Sequence, residues 1–440
     1  MTEKQERTGL LLSALVLFGI NVLNFYDRNA LGALVEPLRK EFHLTDAQNG
    51  FLSSAFVWVY AIVGLPLGWL ADSRSRKKLL AGAVFVWASL TACAGFATSF
   101  ALLLISRLGV GVGEAACAPV GTSWLGDLFP PEKRSRALAF FMLGVPIGGA
   151  LGFFLTGPIA QAYGWRRAIV VAAAPALLLI PALLALREPK RGAAEVRKTP
   201  LGRGSVWSVL RIRTFWWIIA SGALLNFNMY VVGTFLPAFF SRVHHLSLAL
   251  SNVATGVVYL LGGVSGGLLA GHLGDSVFRQ RKDGRLRLSA VMVLLAAPLA
   301  LLGFLQPQSS RLLAIALLVL VYGAMTTYYG FVYSSLHDIV SPGQRGTAMA
   351  VYFFGMYLCG ASYGPLLTGR LSDHLAHRAA GLAGSAVVTE AFRAIGLQRA
   401  MLVIPAFCIP LAFVLYMASR TIIADIEARH AAEASAPHSG

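Results

Sequence analysis

Four ionisable residues stand where an apolar chain can least accommodate them. Asp27 and Arg28 are adjacent in an apolar run from Leu10 to Leu38, and Arg107 and Glu114 share another run between Ala101 and Gly126. Each run, read as a helix, is long enough to cross a bilayer core, which takes about 20 residues. Charge there is costly unless it meets a partner or water. Asn21, Asn24 and Arg28 recur at i, i+3, i+7 and share one face, with Asp27 at its margin. Arg107 and Glu114 are seven apart, roughly 10 Å along a helix axis and on one face. Two acids and two guanidinium groups so placed can do proton chemistry. A carboxyl group stripped of its arginine in apolar surroundings takes up a proton, and one that regains the arginine releases it. The freed arginine can grip a carboxylate or phosphate with its planar fork. Asp27 and Glu114 are therefore the expected proton carriers. Arg28 and Arg107 are the expected grips for an anion, with Asn24 on the same face, and Glu114–Arg28 is the expected switching pair. The competing reading is a static ion-pair network that locks two helices.

The surrounding composition says what positions these groups. Hydrophobic residues make up 56% of the 440 and charged residues 13%, against about 25% charged in soluble proteins. A soluble fold of this length cannot hide that much apolar surface, so the class is an all-α integral membrane protein. Twelve candidate spans fall near 12–38, 47–71, 79–98, 101–126, 136–162, 166–187, 214–240, 248–275, 287–305, 312–338, 346–370 and 399–420. They divide into a six-helix bundle over 1–187, a linker over 188–213, a second six-helix bundle over 214–423, and a tail over 424–440 expected to be disordered. Basic residues crowd alternate connections, such as Arg74, Arg76, Lys77 and Lys78, and eight between Arg187 and Arg213. By the positive-inside rule those loops and both termini are cytoplasmic. The net charge of +17 is then topology and lipid attraction rather than nucleic-acid binding. Cys93, Cys117, Cys359 and Cys408 all lie in apolar segments and read as small hydrophobes. Met1 to Thr8 is polar, with no small-residue cleavage site beyond, so no cleaved signal peptide is expected.

The halves repeat. Asp127, Pro131, Arg134 and Ala137 match Asp338, Pro342, Arg345 and Ala348 at a constant offset of 211, which Gly144 and Gly355 keep. Gly68-x-x-x-Asp72 is echoed by Gly271-x-x-x-Asp275 at 203, and Asn24-Phe25 by Asn226-Phe227 at 202. Two parallel six-helix repeats around a central site are transporter architecture.

These residues carry a resemblance. Gly68-Trp-Leu-Ala-Asp72-Ser-Arg-Ser75-Arg76-Lys77 resembles the loop 2–3 motif of the major facilitator superfamily, with Ser75 where that motif usually has Gly. Gly144-Val-Pro-Ile-Gly148-Gly149-Ala-Leu-Gly152 resembles its fifth-helix glycine motif. Three pieces resemble the spinster family: Asn21-x-x-Asn24-x-x-Asp27-Arg28, Arg107-x-x-x-Gly111-x-Gly113-Glu114-Ala115, and Asp127-Leu-Phe-Pro followed by Val145-Pro-Ile-Gly148. Organic-anion/proton symporters share the Asp-Arg and Arg-x(6)-Glu elements. The resemblance implies the major facilitator fold, twelve transmembrane helices in two pseudo-symmetric bundles, and alternating access coupled to protons. A spinster likeness implies a lysophospholipid or sphingosine phosphate as substrate, and the symporter likeness a sugar acid or carboxylate. The expected setting is a bacterial inner membrane, with a monomer meeting substrate, protons and lipids. No Walker loop, nucleophile–His–acid set, cofactor fingerprint or metal-ligand spacing occurs, so neither an enzyme nor a cofactor is expected.

The second half offers Asn226, Asn228 and Tyr230, then Tyr322, Thr326, Tyr329 and Tyr333 at i, i+4, i+7, i+11 on one face. These read as helix packing or as an apolar cavity wall with a few hydroxyls. Asn226, Tyr329 and Tyr333 are taken as the substrate-side candidates. Such a wall opposite the arginines would suit an amphiphile. Gly68, Asp72, Arg76 and the pseudo-symmetric Asp275 are expected to gate. Asp338 is expected to cap a helix, His244-His245 to be solvated, and 371–399 to be an extended connection with a short amphipathic helix.

Overall fold

In the computed structural model the described residues are 3–190, 206–341 and 344–435, and every regular element among them is helical. Twelve helices are long and apolar enough to cross a membrane: α1 (Gly9–Ala33), α2 (Asp46–Gly68), α3 (Arg76–Ala94), α4 (Phe100–Leu128), α5 (Phe140–Tyr163), α6 (Trp165–Ala185), α7 (Arg213–Val243), α8 (Leu248–Gln280), α9 (Gly284–Phe304), α10 (Gln308–Ile339), α11 (Arg345–Leu382) and α12 (Glu390–Ala431). The chain is a multi-pass membrane protein. Helices are what such a sequence must form, because lipid offers no partner for an unpaired peptide group. Side-chain caps set several starts. Thr45 and Gln48 make a capping box at α2, and Ser75, Ser99 and Ser247 cap α3, α4 and α8.

Several helices are irregular. α4 stops at Glu114 and restarts at Cys117. Pro119 explains the break, since its ring clashes with the carbonyl four residues back, that of Ala115. α8 and α11 each contain a single π-helical turn, Val258–Gly262 and Tyr357–Ala361.

By internal contacts the chain forms two compact units. One holds Met1–Thr199 with Val232–Leu260 and Pro365–Leu397; the other holds Pro200–Val231, Leu261–Gly364 and Gln398–Gly440. In the first unit α5 lies against α1 at backbone distance. A Cβ on Gly148 would overlap the carbonyl oxygen of Val22, and one on Gly152 would stand 2.9 Å from that of Tyr26. The fifth-helix glycines thus fit α5 against the helix that carries Asp27 and Arg28, the small-residue packing that lipid-embedded helices favour.

The structure departs from the sequence reading at four places. The connection after residue 371 is shorter than expected, for α11 continues to Leu382 and α12 already begins at Glu390; its first segment, Glu390–Met401, is a short helix in the place where one was expected. Residues 424–435 are helical rather than disordered, and Asp425 accepts a hydrogen bond from the Thr214 N–H at 2.8 Å. His244 is buried and packs edge-on to Phe239. Asp338 pairs with Arg285 at 2.9 Å, so it does more than cap a helix. Most of the expected linker, 191–205, lies outside the described residues.

Candidate functional site

The four charges anticipated from sequence meet within the first unit. α1 presents Asp27 and Arg28, and α4 presents Arg107 and, at its break, Glu114. Arg28 Nε and Nη2 donate to Glu114 Oε2 at 3.2 and 3.1 Å, and Nη2 also reaches Asn24 Oδ1 at 3.3 Å. Its guanidinium lies over the rings of Tyr60, Phe25 and Phe56, at 4.5, 4.7 and 5.3 Å from their centroids. Arg107 stands 3.7 Å from Asp27 Oδ2, a Coulombic neighbour beyond hydrogen-bonding distance. The hydroxyl of Thr91, on α3, donates to the same Asp27 oxygen at 3.0 Å. Glu114 is wholly buried, and Asp27 and Arg107 nearly so.

The two arginines are therefore differently employed. Arg28 is committed to Glu114, Asn24 and three rings. Arg107, among the described residues, has one ion-pair partner and no short hydrogen bond to it. Each acid is also half-used. Glu114 Oε1 and Asp27 Oδ1 are buried and accept no hydrogen bond among the described residues, and Asn24 Nδ2 likewise has no acceptor. Thr91, Tyr60 and Phe56 were not foreseen, because they lie on α2 and α3, whose sequences carry no intramembrane charge.

The second unit holds an aromatic group. Tyr329 donates to Asn226 Oδ1 at 3.2 Å and stacks edge-on with Tyr333, while Asn226 Nδ2 bonds the Gly222 carbonyl at 2.9 Å. Behind them Tyr328, Ser221 and Tyr352 form a buried hydroxyl chain with links of 2.7 and 3.2 Å. The spacing i, i+4, i+7, i+11 found one face of α10 and missed Tyr328, which lies on another.

Comparison with known proteins agrees with this architecture. The Major Facilitator Superfamily profile matches residues 17–365. The chain belongs to that superfamily. An efflux pump of the superfamily from Mycolicibacterium smegmatis is 31% identical, over 82% of this chain and 84% of that one. The sphingosine-1-phosphate transporter SPNS2 of Danio rerio is 26% identical, over 95% of this chain and 85% of its own. Among solved structures, a bacterial homologue of the human lysosomal transporter spinster, in an inward-facing and unoccupied conformation, superposes with a TM-score of 0.86. It is 27% identical and is matched over 97% of this chain and 99% of its own. This facilitator is thus a transporter of the spinster type, not an enzyme, and alternating access comes with the fold.

In the facilitator's loop motif, Arg76 is the best-held residue. It is buried and reaches Asp127 at the end of α4, the carbonyls of Ser123 and Pro189, and Glu188 beyond α6. Glu188 also accepts from the Ser75 hydroxyl at 2.6 Å and from the N–H groups of Arg76 and Lys77. Lys77 Nζ in turn donates to the carbonyls of Leu184 and Leu186. Each helix end thereby caps the other, and Ser75, the departure from the usual glycine, supplies one of the bonds. Gly68 is open, with the Cβ of Pro119 the nearest atom to its own missing one at 3.9 Å. The side chains of Asp72 and Asp275 lie outside the described residues. The repeat is visible in the geometry: Arg76–Asp127 in one unit has its counterpart in Arg285–Asp338 in the other.

Glu188 permits a test by pH. Burial alone would raise its carboxyl, but the Ser75 hydroxyl, the two backbone N–H groups and the Arg76 guanidinium outweigh it and hold the value below the ordinary 4.5. Its stabilisation is therefore complete above the ordinary value and is lost as pH falls through the lowered one. Glu188→Gln is expected to cost about 1–2 kcal/mol at pH 7. In thermal unfolding of the detergent-solubilised protein, the gap from the parent should close in acid. A gap that is constant with pH would point to lost packing instead.

Proposed function

We propose that the protein is a proton-coupled symporter that moves an anionic or zwitterionic amphiphile, such as a lysophospholipid or sphingosine phosphate, across a bacterial inner membrane. Both termini lie on the cytoplasmic side, where the basic loops place them. One observation carries the coupling. Among the described residues, Asp27 and Glu114 each have a buried oxygen without a donor, and leaving such an oxygen unsatisfied costs about 1–3 kcal/mol or more. A proton delivered to either acid neutralises its buried charge and weakens its hold on its arginine. The arginine then has donors for the substrate. Arg107 is the first grip, since its fork is the less committed, and Arg28 answers chiefly to Glu114.

An amphiphile is favoured over a small acid by the likeness to SPNS2 and by the aromatic group around Asn226, Tyr329 and Tyr333 in the second unit. In proteoliposomes with an imposed pH gradient of one unit, a lysolipid should accumulate up to about tenfold per proton moved, because one unit is worth about 1.4 kcal/mol. A sugar acid serves as the comparison. Gradient-driven uptake of the sugar acid alone would make the protein an organic-anion symporter. Lysolipid movement indifferent to the gradient would remove the coupling.

A further inference from the structure

A second ionic cluster lies in the first unit, at the end away from the basic loops, and none of its members belongs to the site above. Arg242, in the last turn of α7, is buried and uses its whole fork. Nε donates to Glu36 Oε1 at 2.6 Å, and Nη1 and Nη2 donate to the two oxygens of Asp46 at 2.8 Å each. Arg39, on the short helix Val35–Phe42, joins Glu36 at 3.1 Å to Glu390 at 2.8 Å. The Ser372 hydroxyl donates to Asp46 Oδ2 at 2.7 Å. Asp373 accepts the N–H groups of Asp46 and Ala47 at 3.0 and 2.8 Å, capping α2 from a helix more than three hundred residues further on.

Apart from Arg39–Glu36, every one of these bonds joins the α1–α2 region to α7, α11 or the start of α12. The backbones close the same seam. A Cβ on Gly50 of α2 would overlap the Pro365 carbonyl, and one on Gly369 of α11 would overlap that of Asp46. Alternating access requires these helices to part at this end. The chemistry suits parting. A buried ion pair has paid a large desolvation penalty, which is recovered when both charges return to water. Such a seam is specific when shut yet inexpensive to open into solvent. A purely apolar seam would instead expose its whole area.

We propose that this cluster is the latch of the outer face, and that separation of Arg242 from Asp46 and Glu36 admits the outward-open state. Arg242 acts as a positioning residue: it selects which face is open and does not touch substrate.

Thr234, a nearly buried α7 residue whose hydroxyl donates to Ser53 of α2 at 3.2 Å, is the reporter. Thr234→Cys is labelled from outside with a membrane-impermeant maleimide, with the protein lacking that substitution as background. Arg242→Ala should raise the labelling rate about tenfold or more, and Arg242→Lys should fall between it and the parent. Gly369→Ala keeps every charge and wedges a methyl group into the seam, so it should raise the rate as well. Cys117, buried beside Asn21 in the other site, should stay unlabelled throughout, which separates a released latch from a loosened bundle. Should Arg242→Ala expose Cys117 too, the lysine and alanine variants decide. Thr234→Cys labelling at the parental rate in both overturns the latch, as does parental labelling in an intact Arg242→Ala protein.

Discussion

Glu114→Gln is expected to abolish gradient-driven accumulation while leaving substrate exchange in place. The amide fits the same space at the break in α4 but can neither take up a proton nor carry a charge. Arg28 would keep Asn24 and its three rings and lose only its ionic partner. Under a gradient of one pH unit, the accumulation ratio should fall from up to about tenfold per proton to unity. Exchange between equal pools needs no net proton movement, so it should persist, with a flatter dependence on pH. Removing one member of a buried pair costs about 3–5 kcal/mol, so the variant should also unfold at a lower temperature. Parental accumulation in Glu114→Gln would take the proton away from this residue. Asp27→Asn, read in the same assay, would show whether the neighbouring acid carries it.

The second large effect separates the two arginines. Arg107→Lys keeps the charge and loses the planar fork, the feature that suits a carboxylate or phosphate. Because Arg107 has so little else to hold, substrate affinity should weaken about 10–100-fold, or about 1.4–2.8 kcal/mol, with coupling retained. Arg28→Lys should do the reverse. Affinity should change little, while the pH dependence of transport shifts because Glu114 loses a two-bond clamp. Equilibrium binding of a lysolipid and gradient-driven flux, measured on both variants, give the comparison. Normal affinity in Arg107→Lys beside a large loss in Arg28→Lys would exchange the two roles.

Much of this was legible in the sequence because membranes simplify the reading. Apolar runs, basic loops and the 211-residue offset place ten of the twelve helices within five residues at each end, while α11 and α12 run nine to twelve residues beyond the expected spans. The same logic isolates Asp27, Arg28, Arg107 and Glu114, since a charge in an apolar run is conspicuous. The outer cluster was not legible for the opposite reason. Glu36, Arg39, Asp46, Arg242 and Glu390 sit at helix ends, where charge is ordinary. The partners of Arg242 are 196 and 206 residues away, and no periodicity links them. Glu188 is similar, a single acid at the head of a basic stretch whose value comes from the helix end it caps. The break in α4 was readable in principle from Pro119, but an uninterrupted apolar run concealed it.

The π-turn in α8 accounts for a difference in spacing between the halves. Thr45 and Ser247 cap equivalent helices 202 positions apart, yet Gly68 and Gly271, further along those same helices, are 203 apart. Counted against α2, α8 holds one residue more between its cap and Gly271, and Val258–Gly262 is a turn that accommodates an extra residue without breaking the helix. In an unbroken α-helix one extra residue turns everything beyond it by about 100° around the axis. A π-turn takes the residue up locally and spares the rest of the helix that rotation. Two halves of unequal residue count thereby keep one architecture, with Gly68-x-x-x-Asp72 and Gly271-x-x-x-Asp275 at corresponding helix ends.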